Sequence, residues 1–124
     1  MSILVVDDQP AIREMFAALL EDEGYTVACA ANGKDALDYL RQVEELPGLI
    51  LLDLAMPVMT GYEFLHEQRR DAMLASIPVI LMTARGHFEQ DGIDVHAVDY
   101  IHKPTDLNTL LEAIRYHYSS SIAG

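Results

Sequence analysis

The sequence predicts an α/β domain with a single doubly wound, five-stranded parallel sheet, and three observations lead there. Short apolar runs alternate along the chain with helical patterns joined by short loops. Several of these runs are apolar at every position, as strands buried on both faces are, whereas half-solvated strands alternate. The length of 124 residues and the 51% hydrophobic content suit one domain with a substantial core and argue against disorder.

The first run, Ile3 to Val6, stops on Asp7 and Asp8. Pro10 suits the first turn of a helix in which Ile12, Met15, Phe16, Leu19 and Leu20 follow the spacing of one apolar face, with Gly24 placed to end it. Taken alone, Asp8 reads as a helix cap and Asp7 as a solvated turn residue. Tyr25 to Ala30 is the second strand, and its Cys29 has no other cysteine to pair with and reads as a buried, inert thiol. Asn32 and Gly33 open a second helix carrying Ala36, Leu37 and Leu40. After a loop containing Pro47 and Gly48 comes LILLDLAMPVMTG, Leu49 to Gly61, a buried central strand that ends on Asp53. Pro57 cannot extend a strand ladder, and Thr60 to Glu63 has the spacing of a capping box, so Asp53 heads a loop between strand and helix.

Helix three is expected from Gly61 to about Leu74, and Ile77 to Met82 is a fourth strand ending on Thr83. From Arg85 to His96 the pattern is broken by Gly86 and Gly92 and predicts a short or irregular helix. Val98 to Ile101 is the fifth strand, followed by His102, Lys103, Pro104 and Thr105. Thr105 or Asp106 can cap a last helix with Leu107, Leu110, Leu111, Ile114 and Tyr118 on one face. Residues 1–118 form the domain, and 119–124 are a frayed tail.

A formal net charge of −12 repels nucleic acid phosphates, so direct nucleic acid binding is not expected. No apolar run approaches membrane-spanning length, and no basic region precedes Ile3, so the expectation is a soluble, cytoplasmic protein with no membrane partner. The five histidines lack zinc-ligand spacing, and the six methionines read as core filler.

In a parallel sheet the carboxyl ends of all strands share one rim, where open α/β folds hold their ligands. Asp7, Asp8, Asp53, Thr83 and Lys103 come to that rim from four strands. Three neighbouring carboxylates repel one another unless a cation joins them, and hard oxygen ligands select Mg2+. One carboxylate can then serve as nucleophile while the cation, a lysine and a hydroxyl stabilise charge on a transferring phosphoryl group. No glycine-rich nucleotide loop is present, which points to another protein or a small acyl phosphate as donor rather than bound ATP.

Asp7-Asp8 after strand one, Asp53 with Met56-Pro57 and Gly61, Thr83-Ala84, and Tyr100-Ile101-His102-Lys103-Pro104 together resemble the response regulator receiver domain over essentially the whole chain. The resemblance implies a flavodoxin-like fold with five helices and strand order 2-1-3-4-5. It implies that Asp53 accepts a phosphoryl group from a histidine kinase or histidine phosphotransfer protein. Asp7, Asp8, Asp53 and the backbone carbonyl of Ala55 would ligate Mg2+. Thr83, Ala84 and Lys103 would bind the phosphoryl group, with a cis Lys103-Pro104 bond holding the amine in place. Thr83 and Tyr100 would form the conformational switch of the face made by helix four, strand five and helix five, and Ala55 and Arg85 would tune hydrolysis. Such a domain promotes only its own phosphorylation and dephosphorylation, and in that sense is no enzyme. Its other partner would be a downstream protein target or a second receiver in a homodimer, whether it stands alone or is one domain of a longer chain.

The pattern departs from the family at His96-Ala97, where Gly-Ala is frequent, and in the short segment before Lys103. Two other classes stay open. A phosphohydrolase of the haloacid dehalogenase type would need a second acid two residues past Asp53, where this chain has Ala55. An interaction module without chemistry would be favoured by loss of an acid, Thr83 or Lys103, and all are present.

Overall fold

Five parallel strands, β1 (Ser2–Val6), β2 (Thr26–Ala30), β3 (Leu49–Asp53), β4 (Val79–Thr83) and β5 (Asp99–His102), hydrogen-bond in the order β2-β1-β3-β4-β5 in the computed structural model. The structure describes residues 2–53, 61–83, 99–102, 110–116 and 118, with backbone alone for 61, 62, 82, 83 and 99–102. Between the strands run α1 (Pro10–Asp22), α2 (Gly33–Gln42) and α3 (Gly61–Arg70), and residues 110–116 are again helical. The predicted segment 85–96 and the tail 119–124 lie outside the described residues.

Strand β3 is central because its first four side chains are all apolar: Leu49, Ile50, Leu51 and Leu52 are each 0% exposed. Burying each such side chain contributes about 1.5–3 kcal/mol. The alternation of the strands divides these side chains between two cores. Leu4, Val6, Ile50, Leu52, Val79 and Leu81 pack under α2 and α3 through Ala36, Leu37, Leu40, Phe64 and Leu65. Ile3, Val5, Leu49, Leu51 and Ile80 pack under α1 and the C-terminal helical residues through Phe16, Leu20, Leu110, Ile114 and Tyr118. The sheet is therefore doubly wound.

Gln9, not Asp8, is the N-cap residue of helix α1, its carbonyl accepting from the N–H groups of Ile12 and Arg13 at 3.1 Å with no side chain capping the helix. Gly24 ends it as expected, at φ 96°, with Tyr25 N–H bonding Leu20 O and Gly24 N–H bonding Glu21 O in a Schellman pattern. Met15 departs from the expected apolar face and is 47% exposed, since Phe16 and Leu20 supply the buried contacts. At α2 the Asn32 side chain accepts from Asp35 N–H at 2.9 Å, the predicted cap.

Helix α3 is shorter than its sequence suggests, ending at Arg70 rather than near Leu74. The cause is tertiary. Gln68 is buried and its Nε2 donates to the carbonyls of Leu74 at 2.9 Å and Ile77 at 3.1 Å, while the Asp71 carboxylate accepts from Met73 N–H at 3.0 Å. These bonds satisfy the backbone in a turn and bring Leu74 into the core. Cys29 is a second correction: it is exposed, because β2 is an edge strand whose outward face is incompletely covered. Desolvation nevertheless pushes its thiol pKa up, with Arg13 opposing and Glu21 adding to the shift.

At the amino ends of the strands, Tyr118 stacks edge-on against Tyr25 with ring centroids 5.2 Å apart. Gly48, whose N–H donates to Ser2 O at 2.9 Å, passes close against the Tyr118 ring. A Cβ at Gly48 would lie 2.7 Å from Tyr118 Cε2, so the residue has to be glycine for the ring to close down on the sheet.

Candidate functional site

Strands β1 and β3 lie side by side in register from Ile3↔Leu49 to Val6↔Leu52, so the next residue on each, Asp7 and Asp53, reaches the carboxyl rim at the same level. Asp7 continues the ladder one step past β1, its N–H donating to Ala30 O at 3.1 Å. The chain then turns sharply, and the Asp7 Oδ1 atom accepts from Gln9 N–H at 3.0 Å. The carbonyl of Asp7 accepts from Arg13 Nη1 at 2.7 Å, which links the turn to the first turn of α1.

Beyond this turn Asp7 and Asp8 lie beside Asp53. One carboxylate oxygen from each of the three lies within 4.8 Å of the others. Asp7 is fully buried, Asp53 is 7% exposed, and Asp8 is half-buried. The reading of Asp7 as a solvated turn residue is therefore replaced by that of a buried carboxylate. Three acids this close, two of them out of water, repel and favour a cation among them. Their donors are all hard oxygens, the set that suits Mg2+ or Ca2+ and not a soft metal. The residues present thus fit the divalent cation that the sequence called for.

The neighbouring strands carry the other predicted residues. Asp53 pairs with Met82, so Thr83 stands one position farther toward the same rim on β4. Thr83 pairs with His102, and Lys103 follows directly in sequence. Tyr100 sits in β5 opposite Leu81. Lys103, Pro104, Ala55, Ala84 and Arg85 lie outside the described residues, as does the Thr60 end of the expected capping box.

Arg13 and the Gln9 amide are the participants that the sequence reading missed. The signal for Arg13 was available, a cation one turn into a helix that follows an acidic turn, with its neighbours Ile12 and Phe16 turned toward the sheet.

Over residues 3–115 the chain matches the family described as the response regulator receiver domain. Response regulator Rre1 of Synechocystis sp. is 40% identical over 117 residues, which cover 92% of this chain and 50% of that protein. Protein PilH of Pseudomonas aeruginosa is 38% identical over 115 residues, covering 90% of this chain and 93% of PilH. The solved structure of the Thermotoga maritima response regulator protein TrrA in complex with Mg2+-BeF is similar at a TM-score of 0.83 and 34% identity, covering 94% of this chain and 97% of that one. The chain spans about half the length of several curated relatives it matches, Rre1 among them. No helix among the described residues is long and apolar enough to cross a membrane. The family match begins on β1 and ends inside the C-terminal helical residues, so it takes in every strand that builds the acidic rim, and the chain therefore belongs to the response regulator receiver domain family.

Proposed function

We propose that this chain is the phosphoacceptor switch of a two-component or phosphorelay system and that Asp53 is the acceptor. The observation that carries the reading is the convergence of Asp7, Asp8 and Asp53, with a buried carboxylate at the end of the central strand. An Asp53 oxygen attacks the phosphorus of a phosphohistidine on a histidine kinase or histidine phosphotransfer protein. The P–O bond forms as the P–N bond breaks, and the imidazole leaves with the electron pair.

Asp7, Asp8, Asp53 and the backbone carbonyl of Ala55 would hold Mg2+. When bound, the ion supplies positive charge against the carboxylates and the phosphoryl oxygens. Lys103 would pair with a phosphoryl oxygen, and the Thr83 hydroxyl would donate to another, next to the small Ala84. The place of Thr83 one residue beyond the level of Asp53 on the adjacent strand supports that role. Movement of Thr83 toward the phosphoryl group draws Tyr100 inward and changes the face that a downstream protein target or a second receiver meets. Ala55 and Arg85 would tune hydrolysis, the small alanine by admitting the hydrolytic water and the long arginine by opposing it. The domain 1–118 acts in the cytoplasm and turns over only its own phosphoryl group.

The test is intact mass after incubation with Mg2+ and acetyl phosphate, for the wild type, for Asp53→Asn and with chelator. A single phosphoryl adduct is expected in the wild type alone. Absence of an adduct overturns the proposal in favour of an interaction module, and rapid turnover of many phosphate esters overturns it in favour of a phosphohydrolase.

A further inference from the structure

We infer that Arg13 is a positioning residue for the cation site: its guanidinium holds the turn after β1 in the shape that presents Asp7 and Asp8 to Asp53. The inference rests on the reading of that cluster as a Mg2+ site. Asp7 is tied by its N–H to Ala30 on β2, by its carboxylate to the Gln9 amide, and by its carbonyl to Arg13. Of these ties the third is charge-assisted and the shortest, at 2.7 Å against 3.1 Å and 3.0 Å. It is also the one that spans two elements through a side chain. The Arg13 backbone is held in α1 by its own N–H bond to Gln9 O at 3.1 Å, so Arg13 ties the strand end to the helix, with its guanidinium on Asp7 and its backbone in the first helical turn.

Two effects of this guanidinium oppose each other. Its positive charge repels a bound cation, and its hydrogen bond orders the ligands that receive one. The ordering effect prevails, because the guanidinium is bonded to the backbone carbonyl and its side chain is partly open to solvent, where its field is screened.

The experiment is calorimetric titration of Mg2+ into the whole chain as wild type, Arg13→Gln, Arg13→Lys and Lys34→Gln. Arg13→Gln is expected to raise the Mg2+ dissociation constant roughly tenfold, the usual scale for losing a residue that orients a metal ligand. Lys34→Gln removes the same charge from an exposed site on α2, where it pairs across one helical turn with Asp38, and leaves the constant unchanged. Arg13→Lys keeps the charge but loses the planar fork, and is expected to weaken binding by about threefold.

In acetyl phosphate labelling, the Mg2+ concentration for half-maximal rate should shift in Arg13→Gln by the same factor, with the rate at saturating Mg2+ within about twofold of wild type. A general loss of structure would lower both. If Arg13→Gln does not fold, Arg13→Lys decides, and a wild-type constant in it overturns the inference. Mg2+ binding in Arg13→Gln equal to or tighter than wild type also overturns it, leaving the guanidinium as a counter-charge. A wild-type chain that takes up no Mg2+ removes the underlying reading as well, which distinguishes the two failures.

Discussion

The carboxyl rim of the sheet ends on Asp7, Asp8 and Asp53, whereas the amino rim ends on Gly48 against Tyr118, whose ring packs on Tyr25. Both rims close the same pair of cores, since Leu49 to Leu52 runs from one to the other without a polar residue. At the amino rim the chain uses close contact and an aromatic cover, and it gains stability there. At the carboxyl rim it brings like charges together out of water, which opposes folding and prepares a cation site. The two ends of one parallel sheet thus divide into an apolar, closely packed set and an acidic set.

Substitutions that separate the rims test this division. The largest effect belongs to Asp53→Asn, which removes the proposed acceptor and should abolish the acetyl phosphate adduct in intact mass. Gly48→Val comes next. Its Cβ would stand 2.7 Å from Tyr118 Cε2 and 3.0 Å from Cζ. Urea denaturation should register a loss of about 2–3 kcal/mol from this overpacking, with labelling of Asp53 retained. In the absence of Mg2+, the same measurement on Asp53→Asn should show a gain of about 1 kcal/mol, because one of three repelling charges is gone. A loss there would mean that the carboxylate's own partners outweigh the repulsion.

A pH series sharpens the comparison further. Burial, followed by the neighbouring Tyr25, pushes the Tyr118 phenol above its usual 10.0, with the bond to the Ser2 backbone opposing and Glu45 adding. The folded chain then holds the phenol proton more tightly than the unfolded chain, so this contribution is whole below pH 10 and is lost as pH rises through the folded value. Denaturation midpoints should fall from about pH 10 upward and fall less in Tyr118→Phe. The smallest effect is expected of Arg115→Gln. Its ion pair with Glu23 joins the C-terminal helical residues to the end of α1, but the arginine is largely in solvent, and stability should change by no more than about 0.5 kcal/mol.

Much of this architecture was readable residue by residue. The continuous apolar run at Leu49 to Leu52 announces a central strand, and a carboxylate ending such a run announces the rim. Asn32 and Gly24 act where their local chemistry places them, because caps are decided within a few residues. What escaped depends on distant partners. The early end of α3 is set by Gln68 bonds to a turn that the helical pattern would have continued through. The exposure of Cys29 follows from β2 being an edge, which a five-residue apolar run does not disclose. The contact of Gly48 with Tyr118 joins residues seventy positions apart, and nothing near Gly48 in the sequence signals it. Of the site itself, the three acids were legible, whereas the arginine bonded to the Asp7 carbonyl left its signal in the sequence and was passed over.

The exposed thiol on the edge strand provides a natural attachment point for a reporter group. Cys29 is the one cysteine in the chain, its register partner on β1 is Val5, and the next residue, Ala30, receives the Asp7 amide. A fluorinated or fluorescent tag placed there by thiol alkylation would sit one strand from the acidic turn with no engineered cysteine. Because burial raises the thiol pKa, the coupling would run faster at mildly alkaline pH than at neutrality.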